Sequence, residues 1–476
     1  MTAIPFPISS APGAKPQEGA GRLVNCFAVK TELGARSTVK WQRSAGLLEL
    51  LNITGHSHFR GGIVINSALL VALDERVYSV TESSGTFSAT NLGALAGTGP
   101  ITVARNSAAT PNIVCVTANG ARNLFTGSAP TDFADPDLPQ PNSVSVLNNY
   151  LLFTIADGRI FATGVNDVSI ATNSYTTAQS RPGGLLRGVA YRSEFFAFGP
   201  NGIDVYRDTA STPFPLSFNT FIPRGIVGTF AVAGHEEGWA NDLIWAADDF
   251  NVYRLDGYTP VHVGNEDVSR DIAEAVKAGD GNLLEASVYM HGVHAFWRLT
   301  YPGNWTWELN KTTGNWNERE SYNRADCRGS GTIRAFNRWI SGDRTTGKIF
   351  EICDTCYEED VEPLAFRMRS GVGAVFPARL KIPRIDIDMT AAVGVAGGSA
   401  TQIDPTVLMR WSADGGYSYG DWVARKIGQE GQGDARVTVQ RGPLTGPKGI
   451  VLELEVTDPV HVTVMGGQYP MQQRAA

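Results

Sequence analysis

The 476-residue sequence has no long apolar run, no cluster of basic residues, and few cysteines and histidines. No apolar stretch approaches the ~20 residues that a helix needs to cross a bilayer. The first 20 residues are rich in Pro, Gly and Ser and lack a basic head followed by an apolar core. The sequence therefore predicts no integral membrane segment and no signal peptide.

Charge is also sparse and evenly spread. The chain has 40 Lys and Arg against 47 Asp and Glu, which gives a formal net charge of −7. Tight DNA binding needs clustered Lys and Arg that displace counterions from the phosphates, and the sequence has no such cluster. This composition argues against sequence-specific DNA binding.

The five cysteines form an odd and widely spaced set, at positions 26, 115, 327, 353 and 356. Such a set argues against a disulfide framework and favours a reducing compartment. Cys353 and Cys356 have the spacing of a metal-ligand pair, but no second Cys or His pair follows, and a zinc site needs about four ligands. We interpret them as turn residues and predict neither a metal site nor a cofactor.

The seven histidines match no catalytic pattern. There is no Gly-x-Ser-x-Gly, no His-Glu-x-x-His and no Gly-rich phosphate loop before a helix. His291 and His294, read as residues of one strand, would point to opposite faces and could not share a metal. We therefore predict no catalytic residues and no enzyme, and interpret most tryptophans as core residues.

The dominant pattern is a repeated hairpin with a period of roughly 40 to 50 residues, which is typical of propeller blades. Asp, Asn or Gly at each turn supplies the backbone conformation that tight hairpins need. Later, less regular hairpins raise the predicted number of blades to six or seven. The five regular copies are Leu69–Val80, Asn112–Phe125, Leu151–Ala162, Glu194–Arg207 and Leu243–Leu255.

The predicted fold class is all-β, with a distorted six- or seven-bladed β-propeller and a C-terminal β-sandwich, or platform, domain. An acidic patch at Cys356–Glu362 marks the boundary, because the hairpin period stops there. We expect the Pro-rich N-terminal arm to dock on a neighbour and to become ordered only in an assembly. The predicted segments are an extended arm at 1–45, a propeller at 46–362 with one short helix near 268–277, a sandwich at 363–469 and a tail at 470–476.

The segment Ser412-Ala-Asp414-Gly-Gly416-Tyr-Ser-Tyr fits the Asp-box turn of sialidase-type propellers. We predict a structural turn, in which Ser412 and Asp414 satisfy backbone donors before Gly416. The alternative is a propeller glycosidase or lectin acting on surface glycans, although no facing carboxylate pair is evident.

Four aromatic residues near this turn are candidates for an interface with other subunits or an adaptor, because a small sandwich can hardly bury them alone. They are Trp411, Tyr417, Tyr419 and Trp422.

The central stretch Gly183–Gly199, followed by Ile203–Tyr206 and Pro223–Thr229, resembles the tail nozzle or hub proteins of short-tailed bacteriophages, also called packaged-DNA stabilisation proteins. Arg22–Phe27 is similar to an early element of that family, and Leu408–Gly420 to a C-terminal one. The family's usual Pro-Gly after the arm is Ala-Gly here, and a common Glu is Asp204.

This resemblance implies a structural virion protein assembled in the host bacterial cytoplasm and located in the virion tail. It implies a homo-hexamer below the head-to-tail adaptor ring, with a needle or plug protein and tail fibres or spikes as further partners. The hexamer would extend the DNA channel, retain the packaged genome and let double-stranded DNA pass during ejection. A net charge of −7 suits a conduit that does not bind its cargo.

Overall fold

The computed structural model describes residues 2–97, 99–117, 120–125, 128–133, 135–178 and 180–474. The chain begins with five strands that lie outside the regular hairpin period: β1 (Thr2–Ala3), β2 (Arg22–Val24), β3 (Cys26–Lys30), β4 (Val39–Arg43) and β5 (Gly46–Asn52).

Five four-stranded antiparallel sheets follow in sequence order, each a complete blade. Blade 1 is β6 (Phe59–Ile65), β7 (Ala68–Leu73), β8 (Arg76–Ser83) and β9 (Thr86–Ala94). Blade 2 is β10 (Thr102–Arg105), β11 (Ile113–Thr117), β12 (Gly120–Phe125) and β13 (Ser128–Asp132). Blade 3 is β14 (Pro141–Leu147), β15 (Tyr150–Ile155), β16 (Arg159–Ala162) and β17 (Tyr175–Thr177). Blade 4 is β18 (Arg187–Tyr191), β19 (Glu194–Gly199), β20 (Gly202–Asp208) and β21 (Leu216–Ile222). Blade 5 is β22 (Val232–Ala233), β23 (Ile244–Ala246), β24 (Val252–Asp256) and β25 (Thr259–His262).

The predicted helix follows blade 5 as α1 (Glu266–Lys277), with a short 3-10 turn at Gly281–Leu283 behind it. Asn265 caps α1, because its side chain accepts a hydrogen bond of 2.9 Å from the Val268 amide. Ile272 and the rest of the apolar face pack into the propeller core.

The last two blades join larger sheets. Blade 6 is β26 (Glu285–His291), β27 (His294–Tyr301), β28 (Trp305–Asn310) and β29 (Asn315–Glu318). Blade 7 combines β30 (Gly329–Ala335), β31 (Arg338–Asp343) and β32 (Lys348–Cys353) with the early strand β5, which pairs antiparallel with β32. The short hairpin β33 (Glu358–Glu359) and β34 (Glu362–Pro363) extends that sheet.

Seven blades confirm the predicted propeller. The ring is completed by strands distant in sequence, because β5 supplies the fourth strand of blade 7 and β30 contacts β6 of blade 1. The inner strands of neighbouring blades are also tied by side chains near the axis. The hydroxyl of Ser143 accepts a hydrogen bond of 2.8 Å from the Gly188 amide, and that of Thr102 accepts one of 3.0 Å from the Val144 amide.

Two glycines in the central stretch allow backbones of neighbouring blades to approach closely. A Cβ on Gly184, which has a φ of +72°, would lie 1.9 Å from the Ala156 carbonyl oxygen. A Cβ on Gly225 would lie 2.2 Å from the Pro200 carbonyl oxygen. Only glycine fits at these two contacts.

The remaining strands build a second layer structure after blade 7. They are β35 (Phe366–Arg369), β36 (Arg379–Lys381), β37 (Arg384–Met389), β38 (Thr406–Ser412), β39 (Val423–Lys426), β40 (Val437–Gln440), β41 (Val451–Val456), β42 (Thr463–Tyr469) and β43 (Gln472–Arg474), with the short helix α2 (Ala400–Ile403) between β37 and β38. One sheet has the order β3-β4-β42-β37-β40 with β1 beside β42, and the facing strands are β2-β35-β41-β38-β39. A separate core lies between them, with residues such as Met368, Ile385, Met409 and Leu454 fully buried.

The N-terminal segment differs from the expected extended arm that becomes ordered only on a neighbour. Strands β1, β3 and β4 complete one sheet of the sandwich, and β2 lies within the other. Leu23, Cys26 and Trp41 belong to the sandwich core, so the segment buries apolar side chains against its own chain. Its four prolines lie between β1 and β2 and do not keep the segment outside the fold.

The local hairpin predictions agree with the strand bounds at four of the five regular copies. The turn proposed at Asn119-Gly120 lies partly outside the described residues. Within the described part of the chain, no helix is both long and apolar enough to cross a bilayer.

Candidate assembly surface on the sandwich sheet

A nine-stranded sheet runs without interruption from blade 6 into the sandwich. The link is β2, which pairs in parallel with β29 through Val24 and Glu318 and antiparallel with β35 on its other side. The backbone of the propeller and that of the sandwich are therefore hydrogen-bonded as one sheet.

The register of this sheet places charged side chains in a row on one face. Arg22 lies opposite Arg369, Arg369 opposite Glu453, and Glu453 opposite Arg410. Arg367, two residues from Arg369, shares the same face because strand side chains alternate. Directly paired residues of antiparallel strands also share a face.

Carboxylates pair with three of these arginines, Arg22, Arg367 and Arg410. Arg22 lies 2.5 Å from Glu318 and 2.8 Å from Glu320. Arg367 bridges Glu320 at 3.2 Å and Glu455 at 2.7 Å. Burial lowers the pKa of Arg22, but the two carboxylates raise it more, so the pKa lies above its usual value and the guanidinium stays charged. The row contains a chain of partly buried ion pairs from Glu318 through Arg22, Glu320 and Arg367 to Glu455, and a separate pair of Arg410 with Glu453. We call it the arginine ladder.

The ladder ends in a cation and two aromatic rings. Arg410 pairs with Glu453 at 2.6 Å, and its guanidinium carbon lies 4.3 Å from the Trp422 ring centre and 4.8 Å from that of Tyr419. A guanidinium at these distances is attracted by the ring faces. The contacts fix Tyr419 and Trp422 as a half-exposed patch beside the ladder.

The ladder and these two rings line an open cavity of about 500 Å³. Its walls are Arg22, Arg367, Arg369, Arg410, Tyr419, Trp422, Glu453 and Glu455. Arg, Tyr and Trp are the residues most enriched at the energetic centres of protein interfaces. The cavity therefore has the side-chain chemistry of a protein-binding surface.

The structure brings together only two of the four aromatic residues predicted at an interface. Tyr419 and Trp422 share Arg410, whereas Trp411 is half-buried against the sandwich core. Tyr417 is 55 % exposed, and the Lys448 ammonium lies 4.9 Å from its ring centre. The arginines were missed, because their approach depends on the pairing of four strands that are distant in sequence.

The predicted turn at Ser412 and Asp414 is closed by side-chain hydrogen bonds. The Ser412 hydroxyl donates to Asp414 at 2.6 Å and accepts from the Gly416 amide at 2.7 Å. Asp414 accepts from the Tyr417 and Ser418 amides at 2.9 and 3.0 Å. The side-chain hydrogen bonds from Ser412 and Ser418 hold the pKa of Asp414 well below its usual range.

This turn also contacts the N-terminal segment. A Cβ on Gly416 would lie 2.9 Å from the Pro16 side chain, and one on Gly415 would lie 2.6 Å from Gln17 Nε2. The two glycines let the segment lie flat across the turn.

The prediction that His291 and His294 point to opposite faces is wrong. They are opposite each other across a two-residue hairpin turn, and each ring centre lies 5.3 Å from that of Phe27. Residues paired across a hairpin share a face, unlike residues three apart on one strand. No group of three or more His, Cys, Asp or Glu among the described residues is placed to hold a metal ion.

The interpretation of Cys353 and Cys356 as plain turn residues also needs correction. The two sulfurs form a disulfide where the chain leaves blade 7 for the sandwich. Cys26, Cys115 and Cys327 are buried and unbonded. The structure thus has one local bond and no disulfide framework within the described residues.

A comparison of the sequence with protein families agrees with the propeller. A sequence model of the family described as "Bacteriophage P22 Gp10, beta-propeller" matches residues 21–356. No curated protein matches the chain by sequence. The crystal structure of the WD40 beta propeller domain of Doa1 aligns with a TM-score of 0.42 at 10% identity, over 64% of this chain and 97% of that one. The computationally designed Ika8 protein aligns with a TM-score of 0.39 at 11% identity, over 74% of this chain and 98% of that one.

Proposed function

Since the chain belongs to the phage-stabilisation family described as Bacteriophage P22 Gp10, beta-propeller, and is therefore a phage structural protein, we propose that it forms a hexameric tail nozzle. The nozzle lies below the head-to-tail adaptor, extends the DNA channel, retains the packaged genome and passes it during ejection. The domain division predicted from the sequence is part of this proposal, with residues 2–43 added to the sandwich.

The arginine ladder is the observation that carries the proposal. A ring of identical subunits needs a heterologous interface, in which one patch of each subunit meets a different patch of the next. The ladder offers a polar, arginine-rich surface, and Tyr419 and Trp422 add partly exposed aromatic area at its end. Because one continuous sheet carries this surface, a load on the sandwich passes directly to the propeller.

DNA would pass between subunits and not through the propeller of one chain. Neighbouring inner strands are joined by direct hydrogen bonds, such as that from Gly188 to Ser143 at 2.8 Å. A duplex needs a far wider passage than such an axis offers. A central channel of the ring is therefore the route that fits the proposal.

The net charge of the assembly favours passage of DNA through the channel and disfavours binding of DNA to its wall. Six copies with a formal charge of −7 would carry about −42. Such a field repels phosphates, and the sequence offers no basic cluster that would hold them. Retention of the genome would then be steric, by a plug or a closed tip.

Ring formation is tested by mass photometry and negative-stain imaging of the purified chain and of particles that carry it. Wild type should give six-fold rings on tails. A Trp422→Ala, Tyr419→Ala double variant should lose rings while its melting temperature stays within a few degrees of wild type. Tyr175→Ala is the matched control, because Tyr175 is a 42 % exposed aromatic residue on an outer blade strand. If wild-type preparations contain only monomers under all conditions, the hexamer is contradicted. If the double variant still forms rings, the assignment of this surface to the subunit interface is contradicted.

Retention and passage are tested in particles. Heads assembled without the chain should fill and then lose their DNA. Reversal of several channel-facing Asp and Glu residues to Lys, chosen from an imaged ring, should slow ejection and leave packaging unchanged, because each new cation adds a phosphate contact. Unchanged ejection rates would contradict the electrostatic part of the proposal.

A further inference from the structure

A cleft of about 440 Å³ opens across the turns of blades 3, 4 and 5, far in sequence from the arginine ladder. Blade 3 contributes Asn148, blade 4 contributes the Arg192–Glu194 turn with Arg207 and Asp208, and blade 5 contributes Tyr258. The assembly role proposed above uses none of these residues.

Glu194 is the centre of this cleft. Its Oε1 atom accepts hydrogen bonds from Arg207 Nε at 2.6 Å, from the Tyr258 hydroxyl at 2.8 Å and from Asn219 Nδ2 at 3.0 Å. Glu194 and Arg207 face each other across β19 and β20, whereas Tyr258 comes from the next blade. The contacts bring donors and acceptors from two blades together in the cleft.

The groups that remain available suit a ligand with many hydroxyls. The Arg207 side chain is 56 % exposed, and with Nε and Nη2 engaged its Nη1 has no hydrogen-bond partner in the described part of the chain. Tyr258 is 39 % exposed and offers a ring edge or face beside these polar groups. Asp208 accepts from Asn148 at 2.7 Å, which adds a carboxylate and an amide to the lining of the cleft.

The hairpin turn at the rim of the cleft carries residues that are unusual at positions with a positive φ. Arg192 and Ser193 have φ values of 48° and 62° in a two-residue hairpin turn. Asn and Gly are preferred at such positions because other side chains are strained there. Arg192 is held by the Asn241 carbonyl at 3.2 Å. Strain of this kind concentrates at functional sites.

We propose that this cleft binds a neutral saccharide. Its two arginines are balanced by the carboxylates of Glu194 and Asp208, so a charged ligand gains no net attraction. A sugar hydroxyl both donates and accepts, which matches a wall of mixed donors and acceptors. The apolar face of a sugar ring packs on an exposed aromatic ring such as Tyr258, in a cleft large enough for one or two sugar units.

The proposal is for binding and not for hydrolysis. Both carboxylates of the cleft are already engaged, Glu194 by Arg207, Tyr258 and Asn219, and Asp208 by Asn148 and the Ala210 amide. It concerns the alternative raised by the sequence, a propeller that recognises surface glycans, and is independent of ring formation.

Saturation-transfer NMR on the full chain tests this inference, with glucose, galactose, mannose, N-acetylglucosamine and their short oligomers as probes. At least one neutral sugar should receive saturation, and Tyr258→Ala should weaken its binding by about tenfold or more, equivalent to about 1.4 kcal/mol. Tyr258→Phe should retain part of the binding because the ring remains. Tyr322→Ala is the control, since Tyr322 is a 50 % exposed tyrosine outside the cleft.

Three results would overturn the inference. They are no saturation of any neutral sugar, equal saturation in wild type and Tyr258→Ala, or binding of glucuronate or inorganic phosphate alone. Melting temperatures and ring formation on tails should be unchanged in Tyr258→Ala, which separates this test from that of the nozzle.

Discussion

The buried hydroxyl of Ser10 donates a hydrogen bond of 2.6 Å to Oε1 of buried Glu318. Ser10 lies in the N-terminal segment, and Glu318 ends the last strand of blade 6. The same hydroxyl accepts a hydrogen bond of 3.2 Å from the Leu23 amide, and the Ser10 amide donates to the Trp316 carbonyl at 2.7 Å. One small side chain thereby fixes the N-terminal segment at the junction of propeller and sandwich.

Replacement of Ser10 by Ala should destabilise this junction. Glu318 keeps Arg22, but it loses a buried donor, and the Leu23 amide loses its acceptor. The expected loss in the free energy of unfolding is about 1–3 kcal/mol, measured by chemical denaturation. Ser217→Ala, at an exposed serine of an outer blade strand, should change it little. Equal stability of Ser10→Ala and wild type would show that the hydrogen bond contributes nothing.

Limited trypsin digestion should show that β2 is protected in the isolated chain. Arg36 is 74 % exposed in a loop between β3 and β4, whereas Arg22 lies within β2 and pairs with two carboxylates. Cleavage after Arg36 should therefore precede cleavage after Arg22. Mass spectrometry of the digest at successive times measures the order of the two cleavages. Simultaneous loss of both sites in the free chain, with protection of Arg22 only on assembled tails, would restore the arm expected from the sequence.

The Asp414 turn should make the sandwich sensitive to acid. The pKa of Asp414 is lowered in the folded chain, so its stabilising contribution is present above the unfolded pKa of about 3.9 and is lost as the pH falls further. The melting temperature of wild type should exceed that of Asp414→Asn by a constant amount near neutral pH. The difference should shrink below about pH 4.

Asp421→Asn is the control for the acid effect, because Asp421 is an exposed aspartate nearby. Its melting temperature should follow wild type at every pH. A gap between wild type and Asp414→Asn that grows on acidification would contradict the assignment.

The Cys353–Cys356 disulfide should contribute modestly to stability. It closes a loop with a sequence separation of 3, and the entropy removed from the unfolded chain by so short a loop corresponds to about 2 kcal/mol. The double variant Cys353→Ser, Cys356→Ser should lose that amount in chemical denaturation under oxidising conditions. In the presence of reductant, wild type and variant should have the same free energy of unfolding. A difference that persists in reductant would show that the stability loss comes from side-chain packing and not from the disulfide.

Sequence reasoning succeeded where the determinants are local. The hairpins of blades 1, 3, 4 and 5 each depend on residues within a few positions of one another. It failed where residues three apart lie on two strands, as for His291 and His294. It also assigned the N-terminal prolines to an extended arm that docks on a neighbour, because the proline pattern does not show that β1 to β4 join the sheets of the sandwich.

The sequence by itself determined that the chain is built from β-hairpins with a blade-like period, since alternation and turn residues act over short distances. Only the tertiary structure decided that β5 closes blade 7, that β1 to β4 complete the sandwich, and that Arg22, Arg367 and Arg410 form one ladder. It alone also brought Tyr258 to Glu194 from the neighbouring blade. Such contacts depend on strand pairing and blade packing between residues tens to hundreds of positions apart, for which a single sequence carries no local signal.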